Sequence, residues 1–131
     1  MRTLLIATAL LSAPALYAAE SSEVERGAYL ARAADCVACH STADSAPYAG
    51  GLPLESPFGI IYGTNITPDK EFGIGNYTRD DFYNAVAHGK RADGANLYPA
   101  MPYTSYHLIK REDSDAIYAY LMTLEPTNRP A

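Results

Sequence analysis

The chain has 131 residues, of which 48% are hydrophobic and 19% charged, and its formal net charge is −5. This composition is typical of one small globular domain and excludes a fibrous or disordered chain. The negative charge argues against nucleic acid as a partner, because binding to phosphates needs a surplus of Lys and Arg.

The first segment has the pattern of a secretory signal peptide. Arg2 precedes a short apolar run over residues 4–11, and small residues follow. The run is too short to span a membrane, although a retained apolar anchor is the alternative. We predict a signal peptide over residues 1–19, a domain over residues 20–131 and a periplasmic location.

The rest of the chain has no apolar run near the roughly 20 residues that a membrane helix needs. Loss of residues 1–19 would remove Arg2 and change the net charge from −5 to −6. The domain is therefore expected to be soluble or docked peripherally at a membrane.

The first predicted helix begins at Ser22 and ends near Ala34. Ser22 and Glu25 have the spacing of a capping box, in which each side chain accepts a hydrogen bond from the other residue's backbone N–H. Gly27 lies on a narrow face of small residues. A glycine inside a helix lowers helix propensity, so we infer that another element packs directly against its backbone.

Two further helices are predicted. The second begins after Thr78, which forms a capping box with Asp81, and it ends at His88 before Gly89. The third covers about residues 112–124. The apolar positions at helical spacing are Phe82, Ala85 and Val86 in the second helix, and Ile117, Tyr120, Leu121 and Leu124 in the third.

Two long segments between these helices have no regular hydrophobic period. Residues 41–77 are interrupted throughout by Gly and Pro, and residues 90–110 form a second irregular stretch. Loops of this length are uncommon in a compact domain unless something organises them. A cofactor lying inside the loops is one such organiser.

The motif Cys-Val-Ala-Cys-His at Cys36, Cys39 and His40 predicts a covalently bound haem c. On one helical turn, each thiol can add to a vinyl group of the same porphyrin. The adjacent imidazole can then bind the iron from that face. Only two cysteines are present, so one haem is expected.

Three other sites use similar spacing. Zinc needs four ligands, but His88 and His107 are too far apart in sequence to form a paired ligand arm. A thioredoxin-like thiol pair needs a strand before the motif and a helix after it, whereas here the motif follows a helix. A plain disulfide is possible in an exported protein but leaves His40 unexplained.

Met101 is the predicted sixth ligand of the iron. It lies between two prolines, in a loop that cannot become a regular helix. Met122 falls in the predicted last helix, where a packing role is expected. The alternatives are His88, at a helix C-terminus, and His107, in a polar loop.

Seven stretches carry a resemblance to a known family. They are RGAYLA at 26–31, CVACH at 36–40, YAGG at 48–51, TNITPD at 64–69, GIG at 73–75, YPAMPY at 98–103 and AYL at 119–121. On these, the chain resembles class I c-type cytochromes. In particular, it resembles the first haem domain of the cytochrome c subunits of periplasmic alcohol, aldehyde and gluconate dehydrogenases.

The resemblance implies an all-α fold, the class I cytochrome c fold, with crossing N- and C-terminal helices and long loops that enclose one haem. The crossing would lie near Gly27 and Tyr120. The resemblance also implies that Met101 is the distal ligand and that the segment around Asn65 runs beside the haem propionates.

With both axial positions filled, the chain is expected to be a one-electron carrier and not an enzyme. It would link a periplasmic dehydrogenase to a cytochrome or oxidase of a respiratory chain. The alternative is an obligate electron-transfer subunit of one dehydrogenase complex. A third hypothesis is an enzyme or sensor in which the Met101 bond opens. The family's subunits often continue into further haem domains, so this chain is expected to be free-standing or truncated.

Overall fold

The computed structural model describes the backbone of residues 13–130 and the side chains of residues 19–130. In this part of the chain there are five helices and two strands. In chain order they are α1 (Ala13–Ala33), α2 (Cys36–Cys39), β1 (Pro53–Ser56), β2 (Gly59–Tyr62), α3 (Arg79–His88), α4 (Tyr103–Tyr106) and α5 (Arg111–Leu121). Most of the predicted signal peptide lies outside the described residues and stays a prediction.

Helix α1 begins upstream of Ser22, so the predicted N-terminal cap at that residue is wrong. The Ser22 hydroxyl donates to the carbonyl of Ala19, at 2.8 Å, within the helix. The preceding residues are rich in Ala, the strongest helix former, and they continue the helix. None of the helices in residues 13–130 combines the length and apolarity that a bilayer crossing needs.

Helices α1 and α5 cross in direct backbone contact at Gly27. A Cβ atom at this position would lie 1.9 Å from the carbonyl oxygen of Ala116 and 2.9 Å from Cβ of Tyr120. Beside the crossing, Arg26 of α1 forms an ion pair with Asp113 of α5. The inference that an element packs on the backbone of Gly27 is confirmed.

Helix α3 has both predicted ends. The Thr78 hydroxyl accepts from the N–H of Asp81, and the Asp81 carboxylate accepts from the N–H of Thr78, so the capping box is complete. Gly89 ends the helix with φ of 63°, a conformation that favours glycine. Helix α5 is shorter than predicted, since it ends at Leu121.

The core lies where α1, α3 and α5 meet the irregular segments. Its buried hydrophobic cluster comprises Ala31, Tyr48, Ile74, Phe82, Ile117 and Leu121. At its edge, an ion pair of 2.6 Å between Arg79 and Glu23 ties α3 to α1. The central parts of the three predicted helices are therefore confirmed, and these helices surround the core.

The predicted loop over residues 41–77 contains a β-hairpin, which an all-α fold does not include. Strands β1 and β2 pair antiparallel, with Leu54 opposite Ile61. Gly59 at the turn has φ of 119°, which other residues rarely adopt. The flanking prolines and glycines hid two strands of only four residues each from the sequence pattern.

Candidate functional site

An apolar cavity of about 250 Å³ lies between α2, the hairpin, α3 and α5. Apolar side chains make up most of its wall. From α3 and α5 these include Phe82, Val86 and Leu121, and from the irregular segments Ile66, Ile74 and Ile109. A cavity with such a wall suits a flat, largely apolar ligand.

The cavity wall brings together the four residues that the sequence singled out. Cys36, Cys39, His40 and Met101 all line it. Asp35 has a left-handed backbone with φ of 56°, which turns the chain out of α1 into the single turn of α2. His40 closes this turn, because its N–H donates to the carbonyl of Cys36 at 3.0 Å.

His40 is held with one ring nitrogen committed to the protein. Its Nδ1 lies 2.7 Å from the carbonyl oxygen of Thr64. A carbonyl oxygen can only accept, so Nδ1 carries the proton and Nε2 keeps a lone pair for a metal. Burial lowers the pKa of His40 below its ordinary value, against the opposite effect of the Thr64 bond. The imidazole is thereby kept in the neutral form that binds metals.

Gly63 lets the partner segment approach the motif closely. A Cβ atom here would lie 1.9 Å from the carbonyl oxygen of Cys39. Larger side chains would therefore push Thr64 away from His40. Neither Gly63 nor Thr64 was among the predicted site residues. The sequence signals were a glycine directly after the apolar run that forms β2 and the position of Thr64 at the start of the TNITPD stretch.

Met101 lies in the irregular segment between α3 and α4. It is half-buried, and its carbonyl accepts from the N–H of Tyr103 at 2.8 Å. Met122, by contrast, forms the C-terminal cap of α5 and packs against the core. It does not line the cavity.

His88 and His107 also lie away from the cavity. Both line a separate surface depression, together with Tyr103 and Thr104. Nδ1 of His107 is 2.5 Å from the carbonyl oxygen of Thr104. Of the four predicted or alternative axial ligands, His40, Met101, His88 and His107, the structure therefore brings His40 and Met101 to the cavity.

The competing kinds of site fit the geometry poorly. Cys36 and Cys39 are both free thiols. Burial raises the pKa of the Cys36 thiol to about 11, whereas redox-active thiol pairs have a lowered pKa. Among the described side chains, no group of three or more His, Cys, Asp or Glu could hold a metal ion.

Two thiols, an imidazole and a thioether around an apolar cavity form a set of groups that can attach a haem covalently and bind its iron. The thiols and the imidazole come from one helical turn, as attachment to a single porphyrin demands. The residues present therefore fit the predicted cofactor.

Most of the chain is similar in sequence to known proteins. The family model "Cytochrome c" matches residues 24–125. The gluconate 2-dehydrogenase cytochrome c subunit of Pantoea cypripedii is 59% identical over 104 residues, covering 79% of this chain and 24% of the relative. The cytochrome c subunit of the quinone alcohol dehydrogenase of Gluconacetobacter polyoxogenes is 51% identical over 129 residues, covering 98% and 27%.

A third relative is the fructose dehydrogenase cytochrome subunit of Gluconobacter japonicus. It is 50% identical over 120 residues, which cover 90% of this chain and 25% of the relative. The chain thus spans about a quarter of the length of these relatives.

Proposed function

The chain belongs to the cytochrome c family, whose members carry covalently bound haem c, and from this premise we propose that it is a one-electron carrier. The observation that supports the proposal is the convergence of Cys36, Cys39, His40 and Met101 on one apolar cavity. The long segments and the hairpin would enclose the haem there.

The four residues would hold the cofactor in different ways. The thiols of Cys36 and Cys39 would hold the porphyrin through thioether bonds, and Nε2 of His40 and the sulfur of Met101 would bind the iron. The haem supplies a metal centre that gains and loses one electron. If His40 and Met101 both bind the iron, no coordination site is left for a substrate, so the chain would transfer electrons without transforming a molecule.

The apolar wall contributes to the same task. It excludes water from the haem and keeps the surroundings of the iron at low polarity. A sulfur ligand from Met raises the reduction potential relative to a second nitrogen ligand. We therefore expect a relatively high potential.

In the cell, the carrier would work in the periplasm after removal of a signal peptide over residues 1–19. It would accept electrons from a dehydrogenase and pass them to a cytochrome or oxidase, in solution or docked at a membrane. The second candidate is an obligate subunit of one dehydrogenase complex, which the names of the relatives favour equally. Purification from the native host distinguishes the two candidates, because only an obligate subunit would copurify with a dehydrogenase in fixed stoichiometry.

The ligand assignment is tested by replacing Met101 with Ala. We expect a lower reduction potential and new binding of carbon monoxide by the reduced protein, because the sulfur ligand is lost. Spectroelectrochemistry and carbon monoxide difference spectra measure the two effects. Met122→Ala is the matched control and should change neither.

Two results would overturn the assignment. In one, Met101→Ala leaves the reduced spectrum and the potential unchanged. In the other, the unmodified protein already binds carbon monoxide strongly, as expected for a sensor or an enzyme with an open iron site.

A further inference from the structure

Asn65 is a buried amide whose hydrogen-bonding capacity is fully used. Only 2% of its surface is exposed. Its Nδ2 donates to the carbonyls of Thr127, at 2.7 Å, and Arg129, at 3.1 Å. Its Oδ1 accepts from the N–H and the hydroxyl of Thr67, at 2.9 and 2.7 Å. An amide has two donor hydrogens and two acceptor lone pairs, so none is left over.

The two carbonyls belong to the segment after α5, which we call the C-terminal strap (residues 127–129). A further bond fixes the strap, because the N–H of Thr127 donates to the Thr67 hydroxyl at 3.1 Å. At its far end, the Arg129 guanidinium donates to the hydroxyl of Thr42 at 3.3 Å. The strap therefore joins the chain just after His40 to the chain around Asn65.

Asn65 is also covalently coupled to the group that holds His40. The Thr64 carbonyl, which accepts from Nδ1 of His40, lies in the peptide unit that joins Thr64 to Asn65. A peptide unit is planar and resists twisting. Fixing the side chain of Asn65 therefore limits the directions in which the Thr64 oxygen can point.

We propose that Asn65 and the C-terminal strap are positioning elements for His40, acting through the Thr64 carbonyl. The inference rests on the proposed function, because it takes His40 as an axial ligand. A firm bond from Nδ1–H to a carbonyl increases the electron donation from Nε2 to the iron and favours the oxidised state. The strap thus helps to set the reduction potential without touching the haem site.

The test is Asn65→Ala in the full haem-loaded protein. Loss of the amide frees the strap and lets the Thr64 carbonyl move, so the potential should rise. At a fixed ambient potential, we expect the ratio of reduced to oxidised protein to increase roughly three- to tenfold. The effect should be modest because Asn65 acts through the Thr64 carbonyl, whereas loss of a group that bonds a metal ligand directly costs roughly 10–100-fold in metal affinity or activity.

A second readout separates positioning from general loosening. In the reduced protein, solvent exchange of the His40 Nδ1 proton, followed by NMR, should accelerate by roughly tenfold, in line with the loss of one net hydrogen bond. The backbone amides of α5 should keep their exchange rates. Asn128→Ala is the matched control, because this strap residue donates outward to the Glu71 carboxylate at 3.1 Å and is outside the network.

Thr67→Val is a milder variant that decides the matter if Asn65→Ala does not fold. It keeps the shape of the buried side chain but removes the hydroxyl that bonds both Asn65 and the strap. We expect the same two changes at smaller size. Unchanged potential and unchanged His40 exchange in a folded variant would overturn the inference.

If the proposed function is wrong, the unmodified protein already shows it. Its NMR spectrum in the reduced state would then lack the strongly shifted ring signals of an iron-bound His40. If those signals are present and the variants have no effect, only the role of Asn65 and the strap is rejected.

Discussion

Gly27 is needed because α5 lies too close to leave room for a side chain, and not because of its own backbone conformation. In helix propensity alone, Ala is favoured over Gly by up to about 1 kcal/mol. The Cβ of Ala would, however, lie 1.9 Å from a backbone oxygen of Ala116, which can move only if α5 moves. Overpacking of this kind costs roughly 1–3 kcal/mol or more, so the steric cost exceeds the gain in propensity.

We expect Gly27→Ala to lower the free energy of unfolding by roughly 1–3 kcal/mol. Denaturant unfolding followed by circular dichroism measures the change. Glu25→Ala is the control, because it truncates an exposed side chain of the same helix. Equal or greater stability of Gly27→Ala would show that the two helices do not touch here.

Residue chemistry also decides which parts of the site were predictable. Cys36, Cys39 and His40 were found from sequence because the chemistry depends on their side chains and spacing. Thr64 was not, because its contribution is a backbone carbonyl that every residue has. Asn65 was connected with the site only through a family resemblance, and its partners in the strap are far away in sequence.

At the scale of whole elements, helix α3 was predicted at both ends because its signals are local. Two residues within a window of four, Thr78 and Asp81, form the capping box, and one glycine ends the helix. The start of α1 depended on competition between a cap at Ser22 and continuation of the helix through the alanines before it. The hairpin was missed because its strands are short and pack over a cavity formed by distant residues.

The α3 cap makes stability depend on pH. Hydrogen bonds from the backbone and hydroxyl of Thr78 hold the pKa of Asp81 below its ordinary value of 3.8. The folded chain therefore gives up this proton more readily than the unfolded chain. The stabilisation is complete above pH 3.8 and is lost as the pH falls through the lowered pKa.

Comparison of the wild-type chain with Asp81→Asn tests this sign. The difference in unfolding free energy should be greatest near neutral pH and should shrink below pH 3.8, as Asp81 becomes protonated. Urea denaturation at a series of pH values measures it. A difference that stays constant in acid would mean that protonation of Asp81 does not weaken the cap.

For the whole molecule, the cavity limits the stability of the polypeptide without its cofactor. The cavity has a volume of about 250 Å³ and a mostly apolar wall, and without the cofactor this wall lacks packing partners on one side. The total stability of a small domain is only about 5–15 kcal/mol. We therefore expect the polypeptide without haem to be less stable than the haem-loaded protein.

We expect the double variant Cys36→Ala/Cys39→Ala, prepared without haem, to lose cooperative thermal unfolding and part of its helical signal. Circular dichroism during heating measures both. Met101→Ala retains the thioether bonds and should remain folded, which makes it the control. A haem-free variant with the wild-type transition would show that the helices hold together unaided.

The crossing of α1 and α5 also has a consequence during synthesis. Arg26 and Asp113, which pair beside the crossing, are 87 residues apart, and closing such a loop costs about 4 kcal/mol in chain entropy. Helix α5 supplies Leu121 to the cavity wall. The cavity therefore cannot close until the chain has been made as far as Leu121. Cys36 and Cys39 are made long before this point. Their thiols are therefore accessible while α5 has not yet been made.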